Sequence, residues 1–160
     1  MNLILFDEDE IERPLPPGDP RSRHLRKVLH ARPGDEFTAG VVGGRTGRIR
    51  IAGISDDGID FRFTPGGEPP PLLPLELVIG APRPLVTKRL LKDLTSLGAR
   101  ALRFVTAELG EKSYLESGLW RNGEFRGSLR EGAEQAGTTL FPEVRLYPRL
   151  GACLESLPAG

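Results

Sequence analysis

The chain has 160 residues, of which 38% are hydrophobic, so it can bury a core in one domain or in two small ones. Lys plus Arg and Asp plus Glu both number 22, so the total charge decides nothing about a nucleic-acid partner and only its distribution can. The single cysteine, Cys153, excludes an internal disulfide framework and a multi-cysteine zinc site, and we expect it to be an inert thiol.

The N-terminal sequence, MNLILFDEDE, lacks the basic start and the longer apolar stretch of a secretion signal. No apolar run approaches the roughly 20 residues that span a bilayer, so we expect a soluble cytoplasmic protein without a membrane partner. Metal-ligand spacings such as HExxH and CxxC are absent, and His24 and His30 lie in a basic segment that would repel a cation. We therefore expect no metal site.

A proline-rich segment divides the chain. Five prolines fall within residues 65–74, where they remove amide donors and fix backbone angles, so neither a helix nor a central strand is expected there. We predict a first domain at residues 1–68 and a second at residues 69–160. Short alternating runs before the prolines, at 36–42, 48–54 and 59–63, are separated by turn residues and predict a small β-barrel.

Residues 21–30 predict a helix that packs on these strands. Leu25, Val28 and Leu29 recur at helical spacing, and Pro33-Gly34 ends the segment. The other face is basic, because it carries Arg23, Arg26 and Lys27, and residues 21–50 as a whole contain eight Lys or Arg and only two acids. Such a face can follow the phosphates of a nucleic acid, but it is equally typical of a solvated helix that binds nothing.

After the proline-rich segment, the spacing of the apolar residues predicts strands that alternate with helices. The predicted elements are a strand at 75–79, a helix at 86–97 ending at Gly98, a strand at 101–105, a helix at 125–136 and a strand at 144–147. This alternation predicts a parallel α/β sheet, and the chain as a whole is of the α+β class. Residues 111–114 follow the second strand, where loops commonly build sites, although a plain surface loop explains them as well.

Several of these segments, taken in order, resemble one family. They are RHLRKVL at 23–29, PGD at 33–35, APRP at 81–84, SLG at 96–98, EKSY at 111–114 and EQA at 134–136. Together they resemble the RsmE type of 16S ribosomal RNA uridine-N3 methyltransferase over nearly all of residues 1–158. The resemblance implies an N-terminal PUA-like β-barrel that helps to hold RNA, followed by a SPOUT α/β domain whose C-terminal knot binds S-adenosylmethionine. It also implies a homodimer and, as partner, 16S ribosomal RNA or the small ribosomal subunit.

The resemblance implies roles for residues of both domains. The expected RNA-binding residues are Arg23, His24, Arg26, Lys27, Arg83 and Lys88. Lys112 and Glu134 are the expected catalytic residues, and Glu111, Ser113 and Gln135 are expected to position the substrate. Because Glu134 and Gln135 are adjacent on a helix, at most one of them can face its apolar stripe.

Two segments of the family are missing from these 160 residues, a Gly-Pro-Glu-Gly-Gly loop and a later Leu-Gly-x-x-Ile-Leu-Arg segment. We therefore expect most cofactor-binding residues to lie beyond residue 160, and the chain to be a truncated methyltransferase with weak donor binding. A natural short relative would leave a half-built parallel sheet with unpaired edges. The alternatives are a noncatalytic RNA-binding module with a degenerate second domain, and a protein whose α/β half serves only as a dimerisation surface.

Overall fold

The structure is a computed structural model that describes residues 3–108 and 110–157. The chain divides into two compact units, which are Met1–Pro70 with Gly137–Leu140, and Pro71–Ala136 with Phe141–Gly160. Each unit has a hydrophobic core of its own. Within the described ranges, every helix is too short or too polar to cross a membrane.

The first unit is built on a curled four-stranded sheet. Its strands are β1 (Ile4–Phe6), β2 (Glu36–Val41), β3 (Thr46–Ser55) and β4 (Gly58–Pro65), in the spatial order β1-β2-β3-β4. β1 is parallel to β2 and the other pairs are antiparallel, with a bulge near Gly53 that bends β3. The prediction of a small barrel is confirmed as a half-barrel. β1 was not predicted, because three consecutive buried apolar residues carry no alternation.

Helix α1 (Pro20–Lys27) closes the core of this unit. Asp19 caps it by accepting the backbone N–H of Arg21 at 2.7 Å, and Pro20 suits the first turn because its missing N–H would have no partner there. Leu25 is fully buried against the strands. The core consists of Ile4, Phe6, Leu15, Leu25, Ala39, Ile49, Ile51 and Ile59.

The prediction that this helix runs to residue 30 is wrong. The helix ends at Lys27, and Val28 and Leu29 are exposed instead of packing on the strands. The N–H of Leu29 returns to the carbonyl of His24, and the N–H of Ala31 to that of Leu25, so the chain turns out of the helix at this point. The spacing of apolar residues extended the predicted helix by three residues, because this spacing does not show where the backbone leaves the helical conformation.

The second unit has a three-stranded parallel sheet, which confirms the predicted α/β pattern. Its strands are β5 (Leu73–Gly80), β6 (Ala99–Val105) and β7 (Glu143–Tyr147), in the order β5-β6-β7. Its helices are α2 (Pro84–Ser96), α3 (Gly118–Arg121), α4 (Phe125–Ala136) and α5 (Leu150–Glu155). The short helices α3 and α5 were not predicted.

Helices α2 and α4 pack against each other and cover one face of this sheet. Leu91 of α2 and Leu129 of α4 meet Leu102 and Phe104 of β6 in the core. Gly132 of α4 allows the close approach, since a Cβ at that position would collide with the carbonyl oxygen of Lys92. The carboxyl ends of all three strands lie at one edge of the sheet, and that edge carries the candidate site.

Candidate functional site at the carboxyl edge of the parallel sheet

A cavity of about 610 Å³ lies at this edge. It is lined by Val78, Gly80, Val105, Thr106, Ala107, Glu108, Lys112, Pro148, Arg149 and Leu150. Most of these side chains are apolar, and the polar groups stand on the loops that follow β6 and β7. A volume of this size and a wall with few polar groups are typical of a small-molecule site.

A second cavity, of about 420 Å³, adjoins the same loops. It is lined by Thr106, Lys112, Leu115, Glu116, Leu146, Tyr147 and Pro148. Thr106, Lys112 and Pro148 line both cavities. Lys112 therefore lies between the two cavities, in the loop that follows the central strand β6. Loops at the carboxyl ends of parallel strands commonly carry functional groups.

The EKSY segment places its polar residues in a single 3-10 turn, Lys112–Tyr114. Glu111 precedes the turn in extended conformation, and the side chains of Glu111, Lys112 and Ser113 are all exposed. The hydroxyl of Ser117 donates to the Tyr114 carbonyl at 2.8 Å, which anchors the end of the turn. The ammonium of Lys112 forms no ion pair within residues 3–108 and 110–157, so it is available to a ligand.

Glu134 and Gln135 lie on the last turn of α4. Glu134 is 8% exposed and Gln135 points to solvent, so only one of the two turns inward, as expected for adjacent helical positions. Among the described residues that line the two cavities, neither Glu134 nor Gln135 occurs.

Arg149 and Glu108 are functional candidates that the sequence reasoning missed. Arg149 stands directly before α5, exposed and in extended conformation, and Glu108 is in the loop after β6; both line the larger cavity. The rule that singled out the EKSY segment, which favours loops after parallel strands, could have found Arg149, because it follows β7 by two residues.

A hydrogen-bonded network fixes the ends of the strands beside the cavities. Arg103 of β6 is only 5% exposed, and its guanidinium binds Glu76 at 2.7 Å and the Tyr147 hydroxyl at 3.0 Å. The Ser156 hydroxyl donates to the same phenol at 2.8 Å. The bonds from Ser156 and the two arginines Arg145 and Arg103 lower the pKa of Tyr147. Likewise, the Arg103 hydrogen bond lowers the pKa of Glu76. The network therefore links all three strands through side chains, and it reaches the carboxyl end of β7 at Tyr147.

The predicted RNA-binding residues of α1 have different surroundings. Arg23 and Lys27 are exposed, and neither forms an ion pair with another described residue. His24 is half-buried, and its carbonyl accepts the N–H groups that end the helix. The Arg26 guanidinium donates to the carbonyls of Ser55 and Gly58 at 2.5 and 2.8 Å. Arg26 therefore ties the helix to the turn between β3 and β4, a structural role that charge counting did not reveal.

The two predicted RNA-binding residues of the second unit also differ. Arg83 is exposed directly before α2. Lys88 binds Glu124 at 2.9 Å, and this hydrogen bond holds the pKa of Glu124 below its usual range. The charge of Lys88 is thus compensated inside the unit, whereas that of Arg83 remains open to solvent.

Comparison with known proteins agrees with this architecture. The family described as RNA methyltransferase domain matches residues 68–160. The chain belongs to this family. It is 38% identical over 148 residues to ribosomal RNA small subunit methyltransferase E of Treponema pallidum, covering 90% of this chain and 56% of the relative. It is 32% identical over 156 residues to methyltransferase E 1 of Borreliella burgdorferi, covering 97% and 65%. The resemblance to the RsmE type is confirmed, and the chain spans between half and two thirds of these relatives.

Solved structures show the same fold at low identity. A probable rRNA-methyltransferase from Porphyromonas gingivalis has a TM-score of 0.75 and 15% identity, over 99% of this chain and 65% of that one. Ribosomal RNA small subunit methyltransferase E from Neisseria gonorrhoeae, bound to S-adenosyl methionine, has a TM-score of 0.67 and 20% identity, over 99% and 67%. The α+β architecture of the two units is therefore that of this family.

Proposed function

We propose that the protein to which this chain belongs methylates N3 of a uridine in 16S ribosomal RNA, with S-adenosylmethionine as the methyl donor. The observation that carries the proposal is the apolar cavity at the carboxyl edge of the parallel sheet, with Lys112 at its rim, in a chain of the RNA methyltransferase family. The substrate is the RNA of the small ribosomal subunit, the site of action is the cytoplasm, and the working form is a homodimer.

The chemistry defines what the cavity must do. N3 of uracil carries an imino proton between two carbonyl groups, so its methylation requires loss of that proton and concentrates negative charge on the two oxygens. A fixed cation beside those oxygens stabilises the charge as it develops. Lys112 is proposed for this role, because its ammonium stands at both cavities and has no ion pair in the described part of the chain. Glu111 and Ser113 flank Lys112 and are proposed to position the base.

The larger cavity is proposed to hold part of the methyl donor. Its volume is within the range of about 300–1,000 Å³ that is usual for ligand sites. Val78, Val105, Pro148 and Leu150 provide apolar walls for an adenine ring. When bound, S-adenosylmethionine supplies an electrophilic methyl group. Glu134 and Gln135, which do not line either cavity, are proposed to position the substrate.

The RNA is proposed to be held by the exposed cations. Arg23 and Lys27, with His24 between them, present a basic surface on α1, and Arg83 presents a further cation before α2. Each phosphate contact releases a counterion, so affinity should fall steeply as salt is raised. Arg26 and Lys88 are proposed to contribute less to RNA binding, because each already forms hydrogen bonds within its own unit.

The test is transfer of a labelled methyl group from S-adenosylmethionine to small ribosomal subunits and to free 16S RNA. The 160-residue chain and the longest reading frame that encodes it are compared, and mass spectrometry of nucleosides locates the methyl group. N3-methyluridine formed by either protein supports the proposal. RNA binding without methyl transfer by both would contradict it and favour a noncatalytic RNA-binding module.

A further inference from the structure

An apolar pair projects into solvent where α1 ends. Val28 is 60% exposed and Leu29 is 41% exposed, although Leu25, one turn earlier, is completely buried. Both side chains stand at positions where the helical pattern calls for core residues. Neither side chain belongs to the core described above, so both are available for a contact outside the unit.

The turn that carries this pair is held in place from both sides. The N–H of Leu29 donates to the His24 carbonyl at 3.1 Å, and the N–H of Ala31 donates to the Leu25 carbonyl at 2.9 Å. Leu25 is buried in the core and Ala31 packs against it. His30, between the pair and Ala31, has a φ of +49°, which residues other than glycine rarely adopt. The backbone therefore keeps a disfavoured conformation that directs Val28 and Leu29 outward.

The surroundings of the pair are cationic. Arg23 and Lys27 belong to the preceding turns of the helix, and neither is neutralised by a described acid. Along the chain, the acid nearest to the pair is Asp35, which accepts the backbone N–H of Arg32 at 2.8 Å. Asp56 and Asp57 are exposed in the turn between β3 and β4 to which Arg26 ties the helix, and neither forms an ion pair with Arg23 or Lys27. Apolar side chains among uncompensated cations suit a ligand that combines flat apolar faces with negative charge. A nucleic-acid strand has both, in its bases and its phosphates.

We propose that Val28 and Leu29 contact the face of an unpaired base in the RNA, while Arg23 and Lys27 bind the phosphates beside it. This inference rests on the proposed function. N3 of uracil belongs to the edge that forms base pairs, so the target uridine must be unpaired during methylation. The base that Val28 and Leu29 contact must likewise be unpaired, because a duplex would not offer its face.

The test measures binding of a fluorescently labelled oligouridylate to the 160-residue chain at several salt concentrations. Val28→Ser and Leu29→Ser are expected to weaken binding by roughly tenfold each, because an aliphatic side chain buried against the base is lost, without changing the dependence of affinity on salt. Arg23→Gln and Lys27→Gln are expected to weaken it and to reduce the salt slope by about one each. The two kinds of contact thus leave different signatures in one titration.

Matched controls separate binding from folding. Leu97 of the second unit is 64% exposed, so Leu97→Ser loses a comparable exposed side chain and should leave RNA affinity unchanged. The unfolding temperatures of Val28→Ser and Leu29→Ser should equal that of the wild type, since both side chains are exposed. Binding of a duplex RNA should be indifferent to these two substitutions.

Three outcomes overturn the inference. If Val28→Ser and Leu29→Ser bind the oligouridylate as tightly as the wild type does, the inference is wrong and the proposed function is unaffected. Loss of a dimer in these variants, seen by sedimentation, assigns the surface to a second copy of the chain instead of RNA. A wild-type chain that binds no RNA at low salt removes the inference together with RNA binding by the first unit.

Discussion

Asp19 and Arg21 lie two residues apart and share two side-chain hydrogen bonds, Nη2 to Oδ2 at 2.7 Å and Nε to Oδ1 at 3.0 Å. Glu10 accepts from the same guanidinium at 2.7 and 2.8 Å, and the guanidinium carbon stands 5.0 Å from the centre of the Phe6 ring. Arg21 therefore joins the N-terminal segment to α1. Arg21 belongs to the basic segment that favoured RNA binding, yet its charge is neutralised by Asp19 and Glu10 within the first unit.

Arg21→Gln is expected to lower the free energy of unfolding by roughly 3 kcal/mol, because it leaves two poorly solvated carboxylates without their cation. The side chains of Arg21, Asp19 and Glu10 are 12%, 15% and 33% exposed, which places the cluster between surface and interior. Urea unfolding followed by circular dichroism measures the change. Arg23→Gln is the control, since Arg23 is exposed and unpaired, and equal losses in both variants would contradict the assignment.

The same cluster predicts a response to acid. Burial acts to raise the pKa of Asp19, but the hydrogen bonds and the charge of Arg21 outweigh it, and the pKa lies below its ordinary value. A carboxylate with a depressed folded pKa stabilises the fold above its unfolded pKa of about 3.9, and this stabilisation is lost as pH falls through the folded value. Unfolding free energies measured between neutral pH and this acidic range should fall more steeply in the wild type than in Asp19→Asn. Parallel curves would contradict the prediction.

Two glycines of α4 predict substitutions of opposite sign. A Cβ at Gly132 would meet the Lys92 carbonyl oxygen and lie 2.8 Å from the Cβ of Thr95, so Gly132→Ala should destabilise the second unit by about 1–3 kcal/mol. A Cβ at Gly127 meets open space, so Gly127→Ala should stabilise the helix by about 0.5–1 kcal/mol. Thermal unfolding compares the two. Stabilisation by both would show that α2 and α4 are not in close contact.

Arg50 and Arg62 face each other directly across β3 and β4, and both are exposed. Glu36, the other neighbour of Arg50 in the sheet, binds Arg48 at 3.0 Å instead. Like charges in opposite positions destabilise a sheet, so Arg62→Glu should raise the free energy of unfolding by about 0.2–1 kcal/mol, and Arg62→Gln by less. The gain should shrink at high salt. A loss of stability in both variants would mean that the two arginines do not repel each other.

If Lys112 has the role proposed above, Lys112→Ala is expected to reduce the rate of methyl transfer by about 100-fold, because one stabilising cation would be lost where charge develops. Lys112→Arg should recover part of the rate, and Ser113→Ala, at the adjacent exposed position, should have a smaller effect. RNA affinity should change little in all three, which separates catalysis from binding. Unchanged kinetics in Lys112→Ala would make the turn structural.

The spacing of apolar residues predicted α2, α4 and most of the strands, because it follows which side chains are buried. α2 and α4 repeat apolar side chains along one face, and Leu91 and Leu129 reach the core as that pattern requires. β1 and α5 were missed because each is too short to show a period. Val28 and Leu29 were misplaced because periodicity records composition but not the backbone angles that end a helix.

The site was only partly predictable, for a related reason. Position after β6 singled out residues 111–114 only as one of two readings, the other being a plain surface loop, and the resemblance was needed to name Lys112. Counting charges could not distinguish Arg21 and Arg26, which bind groups within the unit, from Arg23 and Lys27, which do not. That distinction depends on contacts between residues far apart in sequence, such as Arg26 with Ser55.

The first unit is discontinuous in sequence, since residues 137–140 complete it. The carbonyl of Thr139 accepts the N–H of Gly43 at 2.8 Å, and its hydroxyl donates to the Gly44 carbonyl at 2.5 Å. The turn between β2 and β3 therefore forms these hydrogen bonds with a residue nearly one hundred positions later in the sequence. During synthesis the half-barrel can therefore form its strands early but cannot reach its final state until most of the second unit has left the ribosome. The closure of so long a loop predicts a late, slow phase in refolding, and shortening the chain before residue 137 should abolish it.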